Sequence, residues 1–86
     1  MARYEVRFRK SAEKDLQRLD TTVRRRVLKA TEALADEPRP AGCKKLHGSD
    51  AAFRIRVGDY RVIYTVDDGI LVVAIERIRH RREVYR

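Results

Sequence analysis

Two hydrophobic periods and two turn signals predict an α+β fold: a first strand, a helical hairpin, then an antiparallel three-stranded meander. Apolar residues alternate singly near the start and again in the second half of the chain, whereas in between they recur at helical spacing. Gly58-Asp59 and Asp68-Gly69 mark tight hairpins between the late strands. A length of 86 residues leaves room for one domain, residues 1–86, and one modest core, with two helices covering one face of a curved sheet and the other face open.

Tyr4, Val6 and Phe8 alternate with Glu5, Arg7 and Arg9, as in a half-buried strand. Ser11 offers an N-cap for a helix from Ala12 to Leu19, on which Ala12, Leu16 and Leu19 form the apolar stripe. Asp20 with Thr21 breaks that helix and caps a second. Val23, Val27, Ala30 and Leu34 continue one stripe to about Asp36, ahead of Pro38 and Pro40. Arg24, Arg25, Arg26 and Lys29 lie largely off the stripe, and because consecutive helix residues point in different directions the run reads as a solvated basic face. Pro38 to Ala51 is a connection carrying Lys44, Lys45 and His47, suited to a mobile lip of a groove. Strands follow at about Ala52 to Val57, Tyr60 to Val66 and Ile70 to Ile78, the last two joined by a type I′ turn at Asp68-Gly69.

The first hairpin specifies its own register. Gly58 at the first position of a two-residue loop suits a type II′ turn, which sets Val57 against Tyr60, Ile55 against Val62 and Phe53 against Tyr64 on a core face. The same register sets Arg56 against Arg61 on the other face, with Arg54 one step along. Directly opposed like charges cost roughly 0.2–1 kcal/mol, a repulsion that a polyanion would relieve. A solvated outer face that happens to carry arginines accounts for the same pattern. In the second hairpin the Asp68-Gly69 turn sets Arg61 opposite Glu76 and Ile63 opposite Ala74, making Glu76 a counter-ion that orients Arg61. Strict alternation then places Arg79 on the face away from Glu76 and Ile78, unless a bulge re-aims it.

Lys and Arg number 21 against 13 Asp and Glu, for a net charge of +8 and a pI near 10.3, which favours nucleic acid or another acidic partner. The charge is densest at the end, where Arg77, Arg79, His80, Arg81, Arg82 and Arg86 face only Glu83. A hydrophobic content of 43% marks a folded protein rather than a disordered basic tail. Cys43 is the only cysteine, which excludes an intrachain disulfide, and with just His47 and His80 there is no plausible zinc-ligand set. No cofactor is implied. No apolar run reaches the roughly 18 residues of a membrane span and no signal-peptide pattern opens the chain, so the cytoplasm is the default location.

One strand and two helices precede Lys-Lys-Leu-His-Gly (Lys44 to Gly48), Phe-Arg-Ile-Arg-Val-Gly-Asp-Tyr-Arg-Val-Ile-Tyr (Phe53 to Tyr64) and Arg-His-Arg-Arg-Glu-Val-Tyr-Arg (Arg79 to Arg86). That order resembles the RelE/ParE toxin superfamily over essentially the whole chain, and its RelE branch in particular. The resemblance implies a RelE-like barrel or sheet. It also implies a type II toxin-antitoxin toxin, bacterial or archaeal, that enters the ribosomal A site and cuts messenger RNA without a metal ion. A cognate antitoxin is implied as partner, whose acidic, initially flexible segment would fold over the basic face. The family's basic active-site positions correspond to Arg54, Arg56 and Arg61, which are lysines at the first two places in some relatives. Its later catalytic arginine corresponds to Arg79, counted back from the closing Val-Tyr, with His80 and Arg81 as competing choices, and its C-terminal tyrosine to Tyr85. Lys44, Lys45, His80 and Arg81 are the further RNA-binding candidates. Many relatives carry another C-terminal helix, which this chain, ending one residue after Tyr85, is expected to lack.

RNA is cut when its 2′-OH attacks the adjacent phosphorus, giving a 2′,3′-cyclic phosphate and a 5′-OH. Arg54, Arg61 and Arg79 suit stabilisation of the phosphorane, since a guanidinium stays charged and offers a planar fork to two oxygens. Tyr85 is the candidate base, its phenol made more acidic by clustered positive charge, or a platform on which a base stacks; a penultimate tyrosine can equally pack against the sheet edge. His80 is the other natural acid or base. Tyr60 and Tyr64 fall on the core face. Two other functions fit the same residues: a ParE-like inhibitor of DNA gyrase with no nuclease chemistry, and a non-catalytic RNA-binding module.

Overall fold

The computed structural model describes residues 3–49 and 51–84. Its elements run β1 (Glu5–Phe8), α1 (Lys10–Gln17), α2 (Thr21–Ala33), β2 (Lys44–Lys45), β3 (Ala52–Val57), β4 (Tyr60–Asp67), β5 (Val72–His80) and α3 (Arg81–Val84). The strands form one five-stranded sheet in the order β1-β5-β4-β3-β2, with β1 parallel to β5 and every other pair antiparallel.

The core lies between the helices and one sheet face. Val62, Tyr64, Val73 and Ile75 from the strands meet Ala12, Val27 and Leu34 from the helical hairpin, all at 0–1% exposure. This is the two-layer solution for an amphipathic helix pair and a sheet with one apolar face. Tyr64 stacks on Phe53 at 5.9 Å and donates its hydroxyl to the Pro38 carbonyl at 2.7 Å, so the one polar atom of the most voluminous fully buried side chain is satisfied. Burial raises the Tyr64 phenol well above its ordinary range.

The helix boundaries follow local hydrogen bonding. Ser11 does not cap α1. Helix α1 begins at Lys10, because β1 runs straight into it: the Arg9 amide still bonds the Ile75 carbonyl at 2.9 Å while the Arg9 carbonyl already accepts from Glu13. Asp20 does cap α2, accepting the Val23 amide at 2.9 Å. Helix α2 ends at Ala33; Leu34, Ala35 and Asp36 then donate to carbonyls three residues back at 3.1–3.2 Å, a tightening of the last turn that precedes Pro38.

Two expectations about the late chain are corrected. The connection from Pro38 to Ala51 is not wholly loop, since Lys44 and Lys45 pair with Arg54 and Phe53 as the edge strand β2. The last strand, expected at about Ile70 to Ile78, runs instead from Val72 to His80 and leads straight into the single turn α3.

The first late hairpin has the predicted register, with Val57 facing Tyr60, Ile55 facing Val62, Phe53 facing Tyr64 and Arg56 facing Arg61. Gly58 carries the positive φ, 59°, that its turn requires. The second hairpin departs from prediction. Strand β4 continues to Asp67, whose carboxylate accepts the Gly69 and Ile70 amides, and the left-handed residue is Leu71 at φ 56°. A four-residue loop therefore replaces the type I′ turn. Arg61 consequently faces Arg79 and Ile63 faces Arg77, while Thr65 faces Ala74. The ladder slips between Ile63 and Tyr64, leaving Glu76 as the unpaired residue of a β-bulge.

Candidate nucleic-acid interface

The bulge determines what the open face carries. Without it, Ile75 and Ile78 would point to opposite sides; with it both enter the core, and Arg77 and Arg79 join the face of Arg61. Two basic rows therefore cross the sheet. One is Arg56, Arg61 and Arg79; the other is Lys44, Arg54, Ile63 and Arg77. Side chains directly opposed in an antiparallel pair stand about 4.5–5.5 Å apart at Cβ, so an anion placed on a row meets several guanidiniums together.

Arg54, Arg56, Arg61 and Lys44 line a concavity of about 270 Å³ floored near Gly42. Arg54 has no ion-pair partner among the described residues, while Arg56 and Arg61 give only single nitrogens to the carbonyls of Gly58 and Tyr60, at 3.1 and 3.5 Å. Most of the donor capacity of these three arginines is unused by the described residues.

Arg79 shares their face by register, yet its guanidinium is engaged elsewhere. Its Nε bonds Glu83 of α3 at 2.7 Å, and its side chain lines a second polar concavity, of about 390 Å³, with Asp15, Tyr60, His80 and Glu83. Helix α3 is pinned against the hairpin tip: the Arg81 amide donates to the Asp59 carbonyl at 2.7 Å, and Arg81 Nη1 stands 3.9 Å from the Asp59 carboxylate. His80 lies opposite Tyr60, on the face away from the arginine row. Its ring meets Tyr60 edge-on at 5.2 Å and its Nδ1 accepts the Arg82 amide at 3.2 Å. The structure thus brings together Arg54, Arg56, Arg61 and Lys44, and holds Arg79 at the margin. Arg81 sits at the start of α3. Lys45 borders a separate depression beside Leu46 and His47. Tyr85 lies outside the described residues.

Glu76 is not the counter-ion of Arg61. Released from the ladder by the bulge, its carboxylate pairs with Arg9 at 2.8 Å and accepts from Thr65 at 3.5 Å.

Three supporting residues were not singled out from sequence. Strand β1 pairs with β5 only as far as Ile75, which leaves the outer edge of residues 76–80 without a strand. Asp15 of α1 fills that gap, accepting the Ile78 amide at 2.9 Å and the fork of Arg77 at 2.9 and 3.3 Å. Burial alone would raise the Asp15 carboxyl, but these bonds and the charges of Arg77 and Arg79 outweigh it and hold it below the usual carboxylate range. Arg24 caps the preceding helix by donating to the Leu16, Gln17 and Leu19 carbonyls. Arg39 forks onto Asp68 at 2.7 and 3.2 Å while its guanidinium lies 5.3 Å from the Phe53 ring centroid. Tyr4 also donates to Asp68, at 2.6 Å, and the bonds from Arg39 and Tyr4 lower the Asp68 carboxyl. The uneven spacing Val73, Ile75, Ile78 is the sequence signal by which the bulge was open to detection; contacts such as Asp15 with Ile78 have no local signal.

A basic sheet face over a helical hairpin, on a chain of this size, is the architecture of the small toxins of type II toxin-antitoxin systems. The family model described as "ParE toxin of type II toxin-antitoxin system, parDE" matches residues 6–85, and the chain belongs to this RelE/ParE toxin family. Its similar relatives carry RelE-type names. It is 34% identical to Toxin RelG of Mycobacterium tuberculosis, over 96% of this chain and 97% of that protein, and 33% identical to Putative toxin RelE1 of Methanocaldococcus jannaschii, over 98% and 97%. Among solved structures it resembles the archaeal RelE-RelB complex from Pyrococcus horikoshii, with a TM-score of 0.82 and 36% identity over 94% of this chain and 97% of that one. It also resembles the isolated Escherichia coli RelE toxin, with a TM-score of 0.80 and 30% identity over 95% and 90%.

Proposed function

We propose that this RelE-like toxin is an endoribonuclease that cleaves messenger RNA in the ribosomal A site. The observation that carries the reading is the cross-strand row Arg56, Arg61, Arg79, with Arg54 and Lys44 beside it. In the proposed reaction the 2′-OH loses its proton and its oxygen attacks the adjacent phosphorus. The bond to the 5′-oxygen breaks, that oxygen takes up a proton, and a 2′,3′-cyclic phosphate and a 5′-OH remain. Arg61 and Arg79 bind the non-bridging oxygens most strongly when charge builds on the phosphorane, and Arg54 and Arg56 hold the neighbouring backbone. Tyr85 is assigned the proton of the 2′-OH. His80, engaged with Tyr60 and the Arg82 amide, is the less available group for that transfer.

An antitoxin partner belongs to the same reading, because several structures similar to this chain are toxin-antitoxin complexes, including RelBE2 of Mycobacterium tuberculosis. An acidic segment laid over Arg54, Arg56 and Arg61 would occupy the groups the message needs. A second reading, a ParE-like inhibitor of DNA gyrase, is favoured by the ParE description of the matching family model.

Primer extension on translating ribosomes separates them. Cleavage within A-site codons by wild type, absent for the Arg61→Ala, Tyr85→Phe double variant and for free RNA, is the expected result. Growth arrest with intact message would move the function to gyrase.

A further inference from the structure

At the tip of the β3–β4 hairpin, Arg26 of α2 lies over Gly58. A Cβ built on Gly58 would meet Nη1, Nη2 and Cζ of Arg26 at 3.3, 3.5 and 3.6 Å, so the Nη end of the guanidinium rests against the glycine. Arg26 has no hydrogen-bond or ion-pair partner among the described residues, so its five N–H donors are unspent there. On the same turn Arg56 gives Nε to the Gly58 carbonyl at 3.1 Å, and its two terminal nitrogens make no hydrogen bond among the described residues. Both arginines line one concavity of about 240 Å³, beside Val23 and Tyr60. Asp59, the carboxylate on that lining, stands 3.9 Å from Nη1 of Arg81.

Two guanidiniums converge here from different elements with much of their donor capacity unspent. Packing against the turn also restricts a long side chain that would otherwise lose rotamer freedom on binding. We propose that Arg26 and Arg56 form an RNA phosphodiester subsite beyond the Arg56, Arg61, Arg79 row, leading the strand off the sheet and over the hairpin tip toward α2. The proposal rests on the nucleic-acid reading above and extends it, with Arg56 shared between the row and the subsite. A glycine at position 58 serves both purposes, since it supplies the turn's positive φ and leaves room for the guanidinium.

Fluorescence anisotropy with a trinucleotide and a decanucleotide RNA tests it, using Arg26→Gln against Arg25→Gln, an exposed arginine of the same helix. Arg26→Gln is expected to weaken the decanucleotide about fivefold, reduce its salt slope by about one, and leave the trinucleotide within twofold. Arg25→Gln is expected to change neither by more than twofold. Equal losses for the two variants, or no loss for Arg26→Gln while wild type binds, overturn the subsite alone. Failure of wild type to bind either RNA overturns the functional reading and the subsite with it. A photo-crosslinking side chain at Thr22, one helical turn from Arg26, identifies the source of the phosphates in the ribosome complex. Crosslinks to message or to ribosomal RNA support the proposal, and crosslinks to protein alone overturn it.

Discussion

Arg61 stands directly across from Arg79, and the two share a face of the sheet because Glu76 is one residue too many for the ladder between β4 and β5. Removing that residue would let Arg77 follow Ile75 directly, so a regular ladder would keep Ile78 in the core and Arg79 on the face of Arg61. Deletion of Glu76 is therefore expected to retain the fold and to cost about 0.5–3 kcal/mol, the usual range for a single change, through the lost pair with Arg9 and the altered twist of β5. Glu76→Ala, which keeps the bulge and loses only the half-exposed pair with Arg9, is expected to cost no more than about 1 kcal/mol. Urea denaturation of the two variants checks the contrast.

Guanidiniums aimed at a developing phosphorane act in the transition state. Arg61→Ala and Arg79→Ala are each expected to lower the single-turnover cleavage rate by about 10²–10³ with little change in fold, as measured by primer extension and circular dichroism. Arg25→Ala, far from both rows, is expected to stay within threefold of wild type.

The ion pair between Arg79 and Glu83 competes with any phosphate for the same Nε. An exposed pair of this kind is worth about 0–1 kcal/mol, so its removal should strengthen binding of a short RNA by no more than about fivefold. Glu83→Gln is expected to tighten trinucleotide binding in anisotropy titrations. Weaker binding would mean that Glu83 orients Arg79 for the phosphate instead of holding it away.

Asp15 makes the fold acid-sensitive. Its folded-state value lies below the ordinary value of about 3.9, so the unfolded chain takes up the proton first as pH falls. The stabilisation is present in full above the unfolded value and is lost as pH falls through the folded one. Urea melts at pH 7 and pH 3 should show the stability gap between wild type and Asp15→Asn closing toward acid. Asp15→Ala, which strips the Ile78 amide of its partner, is expected to cost about 1–3 kcal/mol at pH 7.

The outward-facing arginines of the first hairpin were legible because a two-residue turn around Gly58 and a period of two leave one register open to Phe53, Ile55, Val62 and Tyr64. Family resemblance added Arg79 and Tyr85, which no local pattern singles out. The second hairpin misled, since Asp68-Gly69 has the composition of a type I′ turn while Asp67 closes a longer loop by accepting two amides, an alternative that short-range sequence does not rank. The run Arg24, Arg25, Arg26 read as one solvated face and proved to be three different situations, a helix cap, an exposed charge and a hairpin contact, because each step around a helix is about 100°.

By itself, then, the sequence determined the strand and helix periods, the basic character and the Arg56 to Arg61 pairing, all of them consequences of residues close together in the chain. Tertiary structure decided which face receives Arg79, what Glu76 and Glu83 pair with, and that Asp15 completes the edge of β5. Those depend on contacts between residues as far apart as Asp15 and Ile78, where burial of Ile75 and Ile78 and satisfaction of one edge amide outweigh local alternation.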